Sequence, residues 1–503
     1  MAKLKSIMGF ILSVFVCIVF TNCSENEKLK DGGLRIGWAI EDYTPEGPVS
    51  LSGQYYERIS KYVQSPLKVT ACAIESTDAK GAKEQAIMVS FDLVGVNKNL
   101  QDTLKAIVKG QIPDFDTRKL FINATHTHSA PSPNSAGEFR NMLLSRASKA
   151  IVSAWINRKP AGISRSLGYA VVGHNRRVEY ANGKTEMYGK TDRDDIVAIE
   201  GPTNPGVDML FCWDLKRKLT GIIMNVSCPA QVTEAKYYVS SDYWGEVRKY
   251  LNNKFSKDVC VLPQCGAAGD IAPRDLPRGY KSGEPNMWDI PGIVEIGRRL
   301  GLVIDAAYPD ARNSIQTNVI FKHTVKDLYL PTRKVSKEEY VSALNMVNEI
   351  KSREPKDPNS PDNAWNRFLK EMKDNEKVNE FGPWDSKTSD YGWLKPMEAV
   401  LRQYKNQDKD TLFRMELHVI RLGEVAIASS PFELYTDYGF RIIGRSKAKQ
   451  TFLIQLCTNS AGYLPTRRAL KGGGYSAMAN QVGPAGGDVL VNETVNIIDA
   501  LWK

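Results

Sequence analysis

The feature that most restricts this chain is a series of short apolar, β-branched runs, each closed by polar or turn residues. They fall at 68–74, 86–91, 120–124, 221–226, 259–262, 425–428 and 451–456. Runs of this length and near-continuous apolarity suit strands buried on both faces, with helices covering them. Helical patterns lie between them, at 100–108 and 243–255. The reading is an α/β architecture of mixed sheets with flanking helices. No repeat at a fixed period is visible, which argues against a solenoid or propeller.

One segment differs. From about 334 to 410 the sequence turns charged, opening with Ser336 and Glu339 at capping-box spacing before Tyr340, Leu344 and Val347 on one helical face. It reads as a helical insertion with a Pro/Asp/Asn-rich loop at 355–363, either walling a cleft or packing on the outside. Trp384 and Trp393 fall within it.

The N-terminus carries Lys3 and Lys5, an apolar run from Ile7 to Phe20, and then Cys23. A basic start followed by an apolar stretch shorter than the ~20 residues that span a bilayer reads as a signal peptide, here 1–22. Cys23 resembles the lipidated cysteine of the bacterial lipobox, although Asn22 before it is atypical. The expectation is export, with Cys23 anchoring the protein in the bacterial cell envelope, in the periplasm or at the outer-membrane surface. Residues 23–33 are too poor in apolar side chains to pack and suit a tether. The folded part would then run over 34–503.

Net charge is +10 over 503 residues, but basic and acidic side chains are interspersed, which speaks against nucleic-acid binding. Beyond Cys17 and Cys23, the cysteines Cys72, Cys212, Cys228, Cys260, Cys265 and Cys457 show no metal-knuckle spacing.

Polar clusters follow the buried runs. After 120–124 comes Thr125-His126-Thr127-His128-Ser129. After 259–262 comes Gly269-Asp270-Ile271-Ala272-Pro273-Arg274. After 425–428 comes Pro431-Phe432-Glu433, and after 451–456 comes Gly462-Tyr463. Polar groups just beyond strand ends tend to meet in one crevice. In extended backbone His126 and His128 would project from the same face, as a metal ligand and a base require. His174, His323 and His418 read as structural.

Taken together and in order, these motifs resemble the N-terminal catalytic domain of the neutral/alkaline non-lysosomal ceramidases, from about Arg35 onward. Thr125-His126-Thr127-His128-Ser129 is similar to that family's Thr-His-Thr-His-Ser segment, whose first His binds zinc and whose second lies beside the reacting centre. Asn175-Arg176 resembles its Asn-Arg substrate contact, and Ser240-Ser241-Asp242 the segment after its second zinc-binding His. Pro431-Phe432-Glu433 resembles the Pro-Gly-Glu that supplies a zinc-binding carboxylate. Tyr463 and Tyr475 resemble its zinc-binding and second active-site tyrosines. Two departures stand out. Ala272 occupies the place of the nucleophilic serine, and a methyl group cannot attack a carbonyl. Pro229 stands where the second zinc-binding His belongs, with Cys228 beside it as a substitute thiolate.

What the resemblance implies is a hydrolase of an amide or ester bond in which Zn²⁺ would be held by His126, Glu433, Tyr463 and Cys228. His128 would move the proton, Arg176 and Tyr475 would steady the substrate, and Asp270 and Asp242 would orient the residues around the metal. The partners implied are a small lipid or glycan substrate and the membrane reached through Cys23. Two alternatives stay open. One is a glycoside hydrolase on the same scaffold, using carboxylates among Asp92, Asp242, Asp270 and Glu433. The other is a lipoprotein that binds lipid or sugar without catalysis.

Overall fold

Along the strand Lys68–Thr77, Val69, Ala71 and Ala73 enter one apolar core while Cys72 and Ile74 enter another. This period-2 division explains why residues 71–74 are all apolar: both faces are covered. The computed structural model describes residues 28–54, 56–78, 80–135, 137–278, 287–374, 390–478 and 480–503. The leader, Cys23 and Trp384 lie outside the described residues.

The strand belongs to an eight-stranded sheet ordered Cys260–Cys265, Leu219–Val226, Gly206–Asp214, Lys159–Tyr169, Leu34–Asp42, Lys68–Thr77, Lys83–Phe91 and Leu120–Ala124. The pair at each edge is parallel and the inner pairings are antiparallel. A four-stranded sheet runs Phe321–Pro331, Leu412–Leu422, Val425–Ser429 and Gln450–Ile454, with the last two parallel.

The two sheets face each other across one core, where Ile36, Ile74, Met88, Phe121 and Leu262 meet Ile420, Ile427, Phe452 and Ile454. Helices Lys98–Gln111 and Glu138–Ile156 cover one half of the larger sheet's outer face. Tyr243–Lys254 and Asp289–Asn313 cover the other half. The outer face of the smaller sheet lies under Thr436–Arg445 and Pro484–Leu501. The result is a helix–sheet–sheet–helix sandwich, the mixed α/β architecture expected from the apolar runs.

The charged segment forms helices Lys337–Ser352, Ala364–Asp374 and Asp390–Asn406. Ser336 and Glu339 close a capping box, and Ala343, Val347, Met397 and Val400 form a small core against which Trp393 packs. Phe368 meets Tyr56 edge-on at 6.3 Å, which sets this segment against the loop that carries Gly53. Among the described residues no helix is long and apolar enough to cross a membrane.

Parallel strands align their carboxyl ends, and the segments leaving them are stitched together by backbone hydrogen bonds. Thr458 donates to the Ile122 carbonyl at 2.8 Å, Gln455 to Cys265 at 2.9 Å, and Ala230 to Thr125 at 3.0 Å.

Candidate functional site

After Ala124 the chain does not continue extended, as the spacing of the two histidines had suggested. His126 takes a left-handed backbone at φ 69, a conformation that costs energy and recurs at functional sites. The turn still brings the imidazoles together, with Nε2 to Nε2 at 3.2 Å. His126 Nδ1 lies 2.5 Å from the Val94 carbonyl, which only accepts, so this nitrogen carries the proton and Nε2 keeps a lone pair. His128 Nε2 then donates to that lone pair, which leaves His128 Nδ1 as an acceptor. It is buried and has no hydrogen-bond partner. Burial holds both rings below the usual histidine range, His128 furthest, with His126 adding to the effect on His128.

The group facing that nitrogen is Glu234, with Oε2 3.5 Å from His128 Nδ1. Burial pushes the Glu234 carboxyl up to about 7, against the pull of Arg176 and the Tyr188 hydroxyl. Tyr188 donates to Glu234 at 3.1 Å and accepts from Gln231 at 2.8 Å. Asp242 holds this loop in place. One oxygen accepts from the Thr233 N–H and hydroxyl, both at 2.9 Å, and the other caps the helix Tyr243–Lys254.

Gly53 closes over His128 at φ 102, and a Cβ there would lie 2.5 Å from the ring Nδ1. Arg58 ties the same loop down by donating to the Ser52 and His128 carbonyls, both at 2.6 Å.

Glu433 and Tyr463 are paired in register on two short parallel strands, which sets them side by side. Glu433 Oε2 is 3.7 Å from His126 Nε2. Arg176 donates to the Tyr463 hydroxyl at 3.3 Å, the Tyr188 hydroxyl at 3.3 Å and the Gly269 carbonyl at 3.0 Å. Tyr475 meets Tyr463 edge-on at 5.7 Å.

Asp270 does not face the histidines but supports the wall. Its oxygens accept from Thr436 and Asn175, and its carbonyl accepts from the Arg176 N–H at 2.9 Å. Gly269 allows this close approach, because a Cβ there would lie 2.7 Å from the Glu433 carbonyl carbon. Ala272 is wholly buried on a short strand paired with His174, and offers no reactive group.

His126, Glu433 and Tyr463 thus supply a nitrogen and two oxygen donors of a kind that suits zinc, and the carbonyl fixed to His126 Nδ1 leaves its Nε2 unprotonated, as metal-ligating histidines require, although here that lone pair faces the His128 N–H. Cys228 does not join them. Its thiol is directed at the Val172 and Pro229 carbonyls, at 3.4 and 3.5 Å, inside the apolar core under Tyr243 and Trp244. Burial raises its pKa well above the usual thiol value, which opposes the thiolate that a ligand would need. Among the described residues no three His, Cys, Asp or Glu side chains are grouped as a metal site, so a metal here depends on Tyr463.

The sequence reading had proposed His126, His128, Arg176, Glu433, Tyr463 and Tyr475, and these lie together around one crevice. It missed Glu234, Tyr188 and Gln231, which no motif flagged. Glu234 lies only a few residues before Ser240-Ser241-Asp242, but a lone Glu in a loop carries no signal until its contact with His128 is known.

No family model matches the chain, and no curated protein matches it significantly. Solved structures do, and two of them are ceramidases. One is the neutral ceramidase from Pseudomonas aeruginosa, at 17% identity and a TM-score of 0.66, covering 94% of this chain and 75% of that one. The other is a ceramidase complexed with C2, at 16% identity and a TM-score of 0.64, covering 94% and 76%. The chain has the neutral ceramidase fold.

Proposed function

We propose that this chain hydrolyses an amide or ester bond, with water rather than a protein side chain as nucleophile. The observation that carries the reading is the buried, unpartnered His128 Nδ1 facing a carboxyl that titrates near 7. His128 takes a proton from the attacking water, and Glu234 supplies one to the departing nitrogen or oxygen. Arg176 and Tyr463, with Tyr475 behind them, meet the negative charge that develops on the carbonyl oxygen. Asp270 positions Arg176 through its backbone carbonyl. A divalent ion such as Zn²⁺, when bound by His126, Glu433 and Tyr463, would polarise the scissile carbonyl and acidify water. The His126 lone pair serves such an ion or the His128 N–H, not both at once.

Export and a lipid anchor at Cys23 belong to the same proposal and rest on the leader sequence alone. A glycoside hydrolase finds less support. Asp92 is held by Arg248 at 2.7 Å and by the Lys68 N–H, and Asp242 and Asp270 are saturated by the bonds described above. Only Glu433 of the four carboxylates remains in the crevice.

The test is turnover of a panel of N-acyl amides and esters by wild type and His128→Ala, with metal content measured for wild type and His126→Ala. Absence of turnover across the panel, with and without added zinc, sinks the hydrolase and leaves a binding protein. Turnover unaffected by His128→Ala sinks the proposed proton path.

A further inference from the structure

Three parallel strand pairs carry the crevice at their carboxyl ends: Lys83–Phe91 with Leu120–Ala124, Leu219–Val226 with Cys260–Cys265, and Val425–Ser429 with Gln450–Ile454. The first strand of each pair is entered through a tight hairpin, at 78–82, 215–218 and 423–424. All three hairpins therefore lie at the pole opposite the crevice. The N-terminal segment enters at that same pole. Leu34 pairs with Ser76, the Leu29 N–H donates to the Leu215 carbonyl at 2.7 Å, and Gly32 lies against the Thr317 carbonyl. From Leu34 the nine-residue strand runs towards the crevice, so its length alone sets the two ends roughly 25 Å apart.

The pole is also basic. Lys80 and Lys83 on the first hairpin, Lys216 and Lys218 on the second, and Lys159 and Lys322 at the starts of their strands are all exposed. None of the six is in an ion pair among the described residues. The first two hairpins share one turn, in which Asp78 or Asp214 accepts from the N–H groups two and four residues on, at 2.8 to 2.9 Å. The acids are spent inside the turns and the lysines face water. Basic side chains that are dispersed in the sequence are thus gathered by the fold around the place where the chain enters.

Five residue steps separate Cys23 from Lys28, a reach of at most about 18 Å. Clustered lysines beside a membrane anchor are drawn to anionic headgroups. We infer that this basic pole rests on the anionic bilayer that holds Cys23, so that the crevice opens away from that bilayer and takes a water-borne amide or ester. The word substrate rests on the hydrolase reading; the orientation does not.

The test uses the full chain, extracted from the membranes of the bacteria that make it and returned to vesicles of phosphatidylcholine with phosphatidylglycerol. A fluorophore is placed on Ile320→Cys, beside the third hairpin, or on Leu412→Cys, at the crevice end of the strand Leu412–Leu422; both positions are exposed and the six described cysteines are buried. Energy transfer to an acceptor in the bilayer should be severalfold greater from position 320 than from 412. Reversing the charge with Lys80→Glu, Lys83→Glu, Lys216→Glu and Lys218→Glu together, or raising the salt, should shrink that difference, with circular dichroism confirming the fold. Equal transfer from the two positions, more from 412, or a difference that charge reversal leaves intact overturns the inference. A chain that neither stays with these vesicles nor prefers them to neutral ones overturns it as well. The expected transfer without turnover of any dissolved amide or ester fails the hydrolase alone; turnover with position 412 against the bilayer fails the orientation alone.

Discussion

The chain buries two histidine pairs, and they differ in what surrounds them. In the first, His323 Nδ1 meets the Gln85 carbonyl at 3.1 Å, His323 Nε2 meets His418 Nδ1 at 3.0 Å, and His418 Nε2 meets Glu416 at 2.9 Å. Lys105 completes the chain at 2.7 Å from Glu416. Every ring nitrogen has a partner, and the proton required between His418 and Glu416 is supported by a carboxyl held down at about 2. The second pair, His126 and His128, begins in the same way at a backbone carbonyl but ends on an unpartnered Nδ1 and a carboxyl held up at about 7. The same residue types make a closed brace between sheets in one place and an open proton path in the other. Several buried side-chain atoms lack a partner, but of the ring nitrogens in these two pairs only His128 Nδ1 does, and it is the one that faces the crevice carboxyl.

The strongest way to break this comparison is to remove one ring from each pair. His128→Ala should lower kcat/KM roughly 10²–10⁴-fold, the usual worth of a general base, with little change in the denaturation midpoint. His418→Ala should do the opposite, costing roughly 3–5 kcal/mol of stability by leaving Glu416 and Lys105 beside a cavity. Equal losses in both assays for both variants would erase the distinction.

The two glutamates should also separate by pH. Glu416 is depressed from 4.5 to about 2 once folded, chiefly by His418 and Lys105 acting against burial. Its contribution is present above 4.5 and lost as pH falls towards 2. Glu234 is raised from 4.5 to about 7. The folded state then binds the extra proton, and stability falls as pH rises from 4.5 to 7, by an amount on the order of 3 kcal/mol. Glu234→Gln should flatten that decline, read from denaturation midpoints at pH 5 and pH 8; an unchanged slope would contradict the buried, protonated carboxyl.

A smaller effect is expected at the glycine over the open pair. Gly53→Ala should displace the His128 ring and reduce activity roughly ten- to a hundredfold, because ångström-scale misplacement of a catalytic group costs about that much. Folding should be retained, as judged by circular dichroism. The smallest effect belongs to Cys228→Ser, which should cost about 1 kcal/mol and leave bound metal unchanged, since its thiol faces carbonyls of the apolar core. Loss of metal from that variant would return sulfur to the ligand set.

Much of the sandwich was legible because a strand buried on both faces is mostly apolar, and the runs at 68–74, 120–124 and 221–226 carry only Thr70, Asn123 and Asn225 as buried polar residues, the two asparagines hydrogen-bonded. The placement of His126, Glu433 and Tyr463 was legible because each follows such a run, and carboxyl ends of parallel strands meet. Cys228 was misjudged for a physical reason: linear spacing sets it one residue from the expected slot, but the Val226–Pro229 turn directs its thiol into the core beneath the helix Tyr243–Lys254. Tyr188 and Glu234 left no trace, since their roles are contacts between loops far apart in the chain.

By itself, then, the sequence marked several of the buried strands and the polar loops that follow them, because periodicity and burial are local properties of a strand; the strands Leu34–Asp42, Lys159–Tyr169 and Gly206–Asp214, and the order of pairing, came from the fold. Which ring nitrogen is left open and which carboxyl rises to meet it were decided only by the tertiary structure. A proton's position and a charge's cost depend on neighbours brought from other parts of the chain and on the water they exclude.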